Sequence, residues 1–193
     1  MRWLTLYARS RQVPASLAAV VISTVAVWAL ARDGSEGPGN PRLPALVLAA
    51  GAMAFSTGLS GQDLALDRTA AIRWAPRRAA HLLLAGAIAA AVLLAMQATG
   101  KDLATAAFVV RDSAGLMGLA AVGAAVCGGK YAWTLPFAWL SFSFSFFGSP
   151  PTSVPAQVAS WMLLPSGTAA GTWTALVLTI VGTTAYAVAG PRR

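Results

Sequence analysis

The stretch "GQDLALDRTAAIRWAPRR", residues 61–78, holds Asp63, Asp67, Arg68, Arg73, Arg77 and Arg78 in a chain that otherwise avoids charge. Its 193 residues include only 14 basic and 6 acidic ones, and 57% are apolar. Soluble domains are about one quarter charged; here the fraction is 10%. The apolar residues on either side of the charged stretch come in long blocks. A helix needs about 20 such residues to cross a hydrocarbon core of about 30 Å. Blocks at 14–31, 43–61, 79–99, 113–129, 131–147 and 168–190 approach or reach that length. The expected fold is therefore all-α: an integral membrane helical bundle of six transmembrane helices, one domain over residues 1–193, with residues 62–78 as its main internal loop.

Orientation follows from the basic residues. With the N-terminus in the cytoplasm, the inner segments hold Arg2, Arg9, Arg11, Arg68, Arg73, Arg77, Arg78, Lys130, Arg192 and Arg193. The outer ones hold Arg32, Arg42, Lys101 and Arg111. Ten against four obeys the positive-inside rule and puts both termini in the cytoplasm. The first apolar run is long and ends without an isolated small-residue cleavage site, so it reads as a span rather than a leader. Between blocks three and four, 102–112 reads as a short amphipathic entry. The "CGGKYAW" stretch reads as a tight turn with Lys130 snorkelling. "GSPPTSVPAQ" reads as a loop, with Trp161 beyond it an interfacial anchor.

Two stripes of small residues, Ala50/Ala54/Gly58 and Ala120/Ala124/Gly128, have the spacing that lets helices approach closely in lipid. "SFSFSFFG" alternates like a strand, but an isolated strand in lipid would leave backbone groups unpaired, so it is expected as helix. Helical spacing puts Ser141 and Ser145 on one side, in line for interhelical hydrogen bonds.

Catalytic and cofactor motifs are lacking. A zinc site takes three or four His, Cys or carboxylate ligands, whereas His81 is the single histidine and Cys127 the single cysteine. "AAVCGGKY" fails the phosphate-loop pattern at Ala124 and Tyr131. The net charge of +8 lies in loops beside spans, not on a soluble surface that would hold nucleic acid. No acidic residue falls well inside the expected spans, so an ion relay of the kind transporters use is not expected.

The charged stretch carries its own pattern. Asp63 suits the N-terminus of a short helix. Leu66, Ala70 and Trp74 recur every four residues and form an apolar edge, with Asp67, Arg68 and Arg73 on other faces. Pro76 is expected to end this helix near Trp74. Such a helix fits either a groove on a soluble partner or the anionic headgroups of membrane lipid.

The sequence resembles the permease subunits of ABC-2 type exporters of high-GC Gram-positive bacteria. The resemblance rests on "DRTAAIRWAPRRAAHLL", on "VRDSAGLMGLAAVGAAVCGGKYAWTLPF", and on Trp161 with Pro165 before a last span ending "AGPRR". It implies a bacterial cytoplasmic membrane protein that is not itself an enzyme. It also implies a second permease subunit, identical or related, and a cytoplasmic ABC ATPase subunit. The loop between spans two and three would carry the helix that contacts the ATPase, with Asp63, Leu66, Asp67, Arg68, Ala70, Arg73 and Trp74 at the contact. The competing reading is a non-transporting membrane anchor or scaffold subunit of a larger complex. A small membrane enzyme lacks the paired catalytic groups it would need.

Overall fold

A computed structural model of the chain describes residues 13–33, 40–60, 74–99, 102–146 and 151–192. Among these, every regular element is helical: α1 (Val13–Asp33), α2 (Arg42–Ser56), α3 (Trp74–Gln97), α4 (Ala106–Cys127), α5 (Thr134–Phe146), α6 (Val154–Ala159) and α7 (Ala169–Ala189). Short 3-10 turns follow α2, α4 and α6. Six helices, α1 to α5 and α7, correspond to the six expected blocks, and α6 is an addition. Four stretches are long and apolar enough to cross a membrane: Arg42–Leu59, Trp74–Gln97, Ala106–Cys127 and Ala169–Ala189. α1 carries the shorter apolar segment Pro14–Ala29. α5 has 13 residues, about 20 Å of helix.

Proline marks several helix starts. Pro44 and Pro136 are third in α2 and α5, and Pro155 is second in α6. Proline costs nothing in a first turn, where its missing N–H has no intrahelical acceptor. Trp74, Ala75 and Pro76 all lie within α3. The expectation that Pro76 ends a helix near Trp74 is thus reversed: the helical run continues through it to Gln97.

The helices alternate in direction. Ser16 at the start of α1 donates to the Ala54 carbonyl at the end of α2 (2.9 Å), so these two are antiparallel. Tyr186 near the end of α7 donates to Leu59 (3.0 Å), and the Arg192 N–H reaches Ala124 near the end of α4 (3.1 Å). Arg78 near the start of α3 lies beside Gly190. The described chain therefore enters and leaves at one end of the bundle.

α4 is the axis, with 72% of its membrane window buried, against 22% for α7. Lipid tails are as apolar as leucine, so close van der Waals contact must hold such a bundle together. The closest seam joins α4 to α7. A methyl group on Gly118 would strike the Leu178 carbonyl, and one on Gly182 would strike the Gly118 carbonyl. Glycine at both places lets the two backbones touch. Of the two small-residue stripes, Ala120, Ala124 and Gly128 are buried inside the chain, while Ala50 and Ala54 are half-buried. Gly128 has φ 97°, a left-handed conformation that favours glycine, and it ends α4 where the turn was expected.

The outer surface is strongly apolar. Trp173, Val177, Ile180, Val181 and Val188 on α7, and Ile22 and Val25 on α1, are exposed. In water such faces would aggregate; between spans and lipid they are the natural boundary.

Candidate functional site

The expected partner-docking residues fall mostly outside the described part: Asp63, Leu66, Asp67, Arg68, Ala70 and Arg73 belong to residues 61–73. Trp74 is described. Its ring lies under the Arg77 guanidinium, 5.8 Å from the centroid, a cation–π contact. The indole Nε1 is buried with no acceptor among the described residues. Ser60 and Trp74, which flank 61–73, both lie at the bundle end that carries Arg77, Arg78, Lys130 and Arg192.

The opposite end holds the most elaborate polar cluster, which overturns part of the sequence reading. Residues 102–112 were expected as an amphipathic entry. Instead α4 starts at Ala106, where the Thr105 hydroxyl accepts from the Phe108 N–H (3.3 Å). It runs straight through Arg111 and Asp112. Arg111 is 9% exposed and Asp112 0%. The Arg111 Nε donates to Asp112 Oδ1 at 2.7 Å. Nη1 donates to the Pro165 carbonyl (2.9 Å). Nη2 donates to the carbonyls of Leu164 (2.8 Å) and Trp161 (3.4 Å). Four of the five guanidinium N–H groups are thus used, and the Phe108 ring lies 5.0 Å below.

Asp112 therefore lies inside the observed α4, which takes in a segment the sequence reading placed before the span 113–129. Burying an ion pair is costly unless its donors and acceptors are paired; here four guanidinium N–H groups are taken up, while Asp112 Oδ2 is buried with no partner among the described residues. Here the pair acts as a clasp. It ties residues 161–165, which have no regular helix of their own beyond one 3-10 turn, to the central helix. Gly171 on α7 leaves the room, since a methyl there would come within 3.1 Å of Nη1.

Trp161, expected as an interfacial anchor, is 0% exposed. Its ring edge presses on Gly115, where a methyl would meet Cη2 at 2.5 Å. The clasp draws it inward. Further along the same face, Trp139 Nε1 (2.8 Å) and Ser143 Oγ (3.2 Å) both donate to the Ala159 carbonyl and tie α5 to α6. Ser143 is thus a serine that bridges helices; of the expected pair, Ser141 is exposed and the Ser145 side chain lies outside the described residues.

Beside the clasp opens a cavity of about 700 Å³. Leu94, Phe108, Leu163 and Pro41 give it apolar walls, and Gln97, Asp102, Thr105 and Ser166 bring polar groups. Gln97 is the organising side chain. Its Oε1 accepts from the N–H groups of Leu103 (2.8 Å) and Ala104 (2.7 Å), closing the turn after α3. A second, apolar cavity of about 350 Å³ lies between α3, α4 and α7, lined by Leu82, Gly86, Met117 and Thr183 among others.

The sequence offered one overlooked signal for the clasp: Arg111 and Asp112 are adjacent, so a carboxylate stands ready wherever the arginine is buried. Among the described residues, no group of three or more His, Cys, Asp or Glu side chains is placed to hold a metal ion. Comparisons with protein-family models, with curated proteins and with solved structures find no match.

Proposed function

We propose that the chain is the transmembrane permease subunit of an ABC-type exporter of the ABC-2 kind in the bacterial cytoplasmic membrane. Six crossings leave both termini in the cytoplasm. The chain forms half of a substrate pathway with a second permease subunit, identical or related, and ATP is hydrolysed by a separate cytoplasmic ATPase subunit. Charge segregation carries this reading. Arg77, Arg78, Lys130 and Arg192 lie at one end, as do Ser60 and Trp74, the residues on either side of 61–73. Among the described residues, the other end holds Arg32 and Arg42, with an Arg111 already paired with Asp112. A basic end faces the cytoplasm, which puts the charged segment where an ATPase can reach it.

The alternative, a non-transporting anchor or scaffold subunit, draws support from the closed packing of α4 on α7 and from the internal pairing of Arg111 with Asp112. Neither leaves a polar route through one copy of the chain. In the permease reading, that route lies between two copies.

Purification of the tagged chain from its native membrane in mild detergent separates the readings. The permease brings a nucleotide-binding subunit and ATP hydrolysis with it. Trp74→Ala lowers the recovered ATPase by about tenfold or more, the cost of an aromatic anchor worth about 2 kcal/mol, while leaving the chain itself folded. Recovery of a stable assembly without any ATPase, or with ATPase unaffected by changes across residues 61–78, would rule the permease reading out.

A further inference from the structure

We propose that the apolar cavity between α3, α4 and α7 is a binding site for an anionic phospholipid, with one acyl chain in the groove and the phosphate at Arg77 and Arg78. The cavity holds about 350 Å³, within the range of small-molecule sites, about 300 to 1,000 Å³. It opens sideways onto the lipid face: Leu83, Ala87 and Ala91 on α3 and Val110 on α4 line it and are exposed. Behind them, Gly86, Ala90 and Gly118 carry too little side chain to fill the space between the helices.

The interior of the groove suits a hydrocarbon chain. Of the hydroxyl groups on its walls, Ser113 Oγ donates to the Val110 carbonyl (3.0 Å) and Thr179 Oγ1 to the Ala175 carbonyl (2.7 Å), each within its own helix. Thr183 Oγ1 is itself buried. Along α3 the lining runs from Leu82 to Leu94. At about 1.5 Å per residue that is about 18 Å of helix, just over half of a hydrocarbon core of about 30 Å. The groove thus spans the depth of one leaflet.

Both walls lead to the basic end. Arg78 lies one turn before Leu82 on α3, and Gly190 lies two turns beyond Thr183 on α7, so each shares a face with its lining residue. The two meet, since a methyl on Gly190 would come 2.8 Å from Arg78 Nη1. Arg77, exposed on the same turn, lies over the Trp74 ring. Adjacent guanidinium groups at headgroup level, with an indole beside them, match a phosphate ester. The charge of this end is positive whatever individual pairs form. Among the described residues the acidic ones are Asp33, Asp102 and Asp112, all away from it. The segments joined to it outside the described residues, 1–12, 61–73 and 193, carry Arg2, Arg9, Arg11, Arg68, Arg73 and Arg193 against Asp63 and Asp67. A second copy in the same orientation brings no carboxylate from its described residues to the basic mouth of the groove. A lipid is therefore the better occupant than a neighbouring chain.

The site does not rest on the exporter reading, and its test needs no ATPase. The full chain is reconstituted in phosphatidylcholine nanodiscs with a small fraction of photoreactive phosphatidylglycerol or, separately, photoreactive phosphatidylcholine. Both probes carry the reactive group midway along one chain, and labelled residues are mapped by mass spectrometry. The exposed face of α1 at Val21, Ile22 and Val25 reports ordinary lipid contact. Relative to that face, phosphatidylglycerol labels residues 83–91 at least about fivefold more than phosphatidylcholine does, the attraction expected of one arginine near the surface. Arg77→Gln with Arg78→Gln removes the preference, and Arg77→Lys with Arg78→Lys keeps it, which separates charge from packing against Gly190. Ala87→Trp, which fills the groove from an exposed lining position, lowers labelling there by both probes. The proposal is overturned by equal labelling with the two probes, by a preference that survives the glutamine variant, or by labelling unchanged in Ala87→Trp. A groove that neither probe reaches, because a second copy fills it, overturns it as well.

Discussion

At the scale of single residues, Arg111 decides most. It is buried with one carboxylate and three carbonyls satisfied by its guanidinium, so its removal orphans all of them at once. Arg111→Leu should destabilise the chain by about 3–5 kcal/mol, the range for breaking one side of a buried pair. Because an apolar replacement of both partners leaves no orphaned charge, Arg111→Leu with Asp112→Leu should cost less than Arg111→Leu alone. Chemical unfolding in detergent, followed by tryptophan fluorescence, measures both; a double variant worse than the single one would contradict the clasp. Trp161 gives a second residue-scale prediction. Trp161→Ala empties a space against Gly115 and Ala175 and should cost about 3–5 kcal/mol, where an interfacial anchor would lose far less. The sequence hid both roles for the same physical reason. Arg, Asp and Trp are the residue types that ordinarily mark a membrane boundary, and only the returning 161–165 segment, more than forty-five positions away in the chain, reverses that reading.

At the scale of elements, the α4–α7 seam is where backbone touches backbone. Gly118→Ala and Gly182→Ala each force the two helices apart, since the obstruction is a carbonyl that cannot swing aside. Each should cost about 3 kcal/mol or more, at or above the usual range for overpacking. Ala54→Leu, at a half-buried position on α2, should cost under about 1.5 kcal/mol. Thermal unfolding of the three variants in one detergent ranks them, and Ala54→Leu as the worst would contradict the assignment of the seam. Much at this scale was legible from apolar runs alone: α1, α2 and α7 fall close to where the blocks placed them, α3 begins at Trp74 inside the expected loop, and "SFSFSFFG" is helical through Phe146. The glycine seam was not legible, because Gly115, Gly118 and Gly182 do not repeat every four residues within either helix. Nor was α6, whose Ser153 start and Pro155 look equally like loop. α4 begins seven residues earlier than the sequence suggested, at Ala106 rather than 113, because charges that stop a helix in lipid continue it when a neighbouring segment satisfies them.

At the scale of the whole molecule, one end is basic and the other holds the clasp and its cavity. Replacing Arg77, Arg78 and Lys130 together by glutamine cuts the basic bias from ten against four to seven against four and should raise the fraction inserted in the opposite orientation. Protease protection of a C-terminal tag reads this, and an unchanged single orientation would show that other residues set it. The most direct measurement concerns which end faces inward. In a Cys127→Ser background, single cysteines replace Thr69 in the charged segment, Tyr131 at the basic end, and Thr152 and Val158 at the other. An impermeant maleimide is applied to intact cells and then to permeabilised ones. Thr152→Cys and Val158→Cys should react in intact cells, whereas Thr69→Cys and Tyr131→Cys should react only after permeabilisation. Labelling of Thr69→Cys in intact cells, with Thr152→Cys silent, would turn the bundle over and remove residues 61–78 from the reach of any cytoplasmic ATPase.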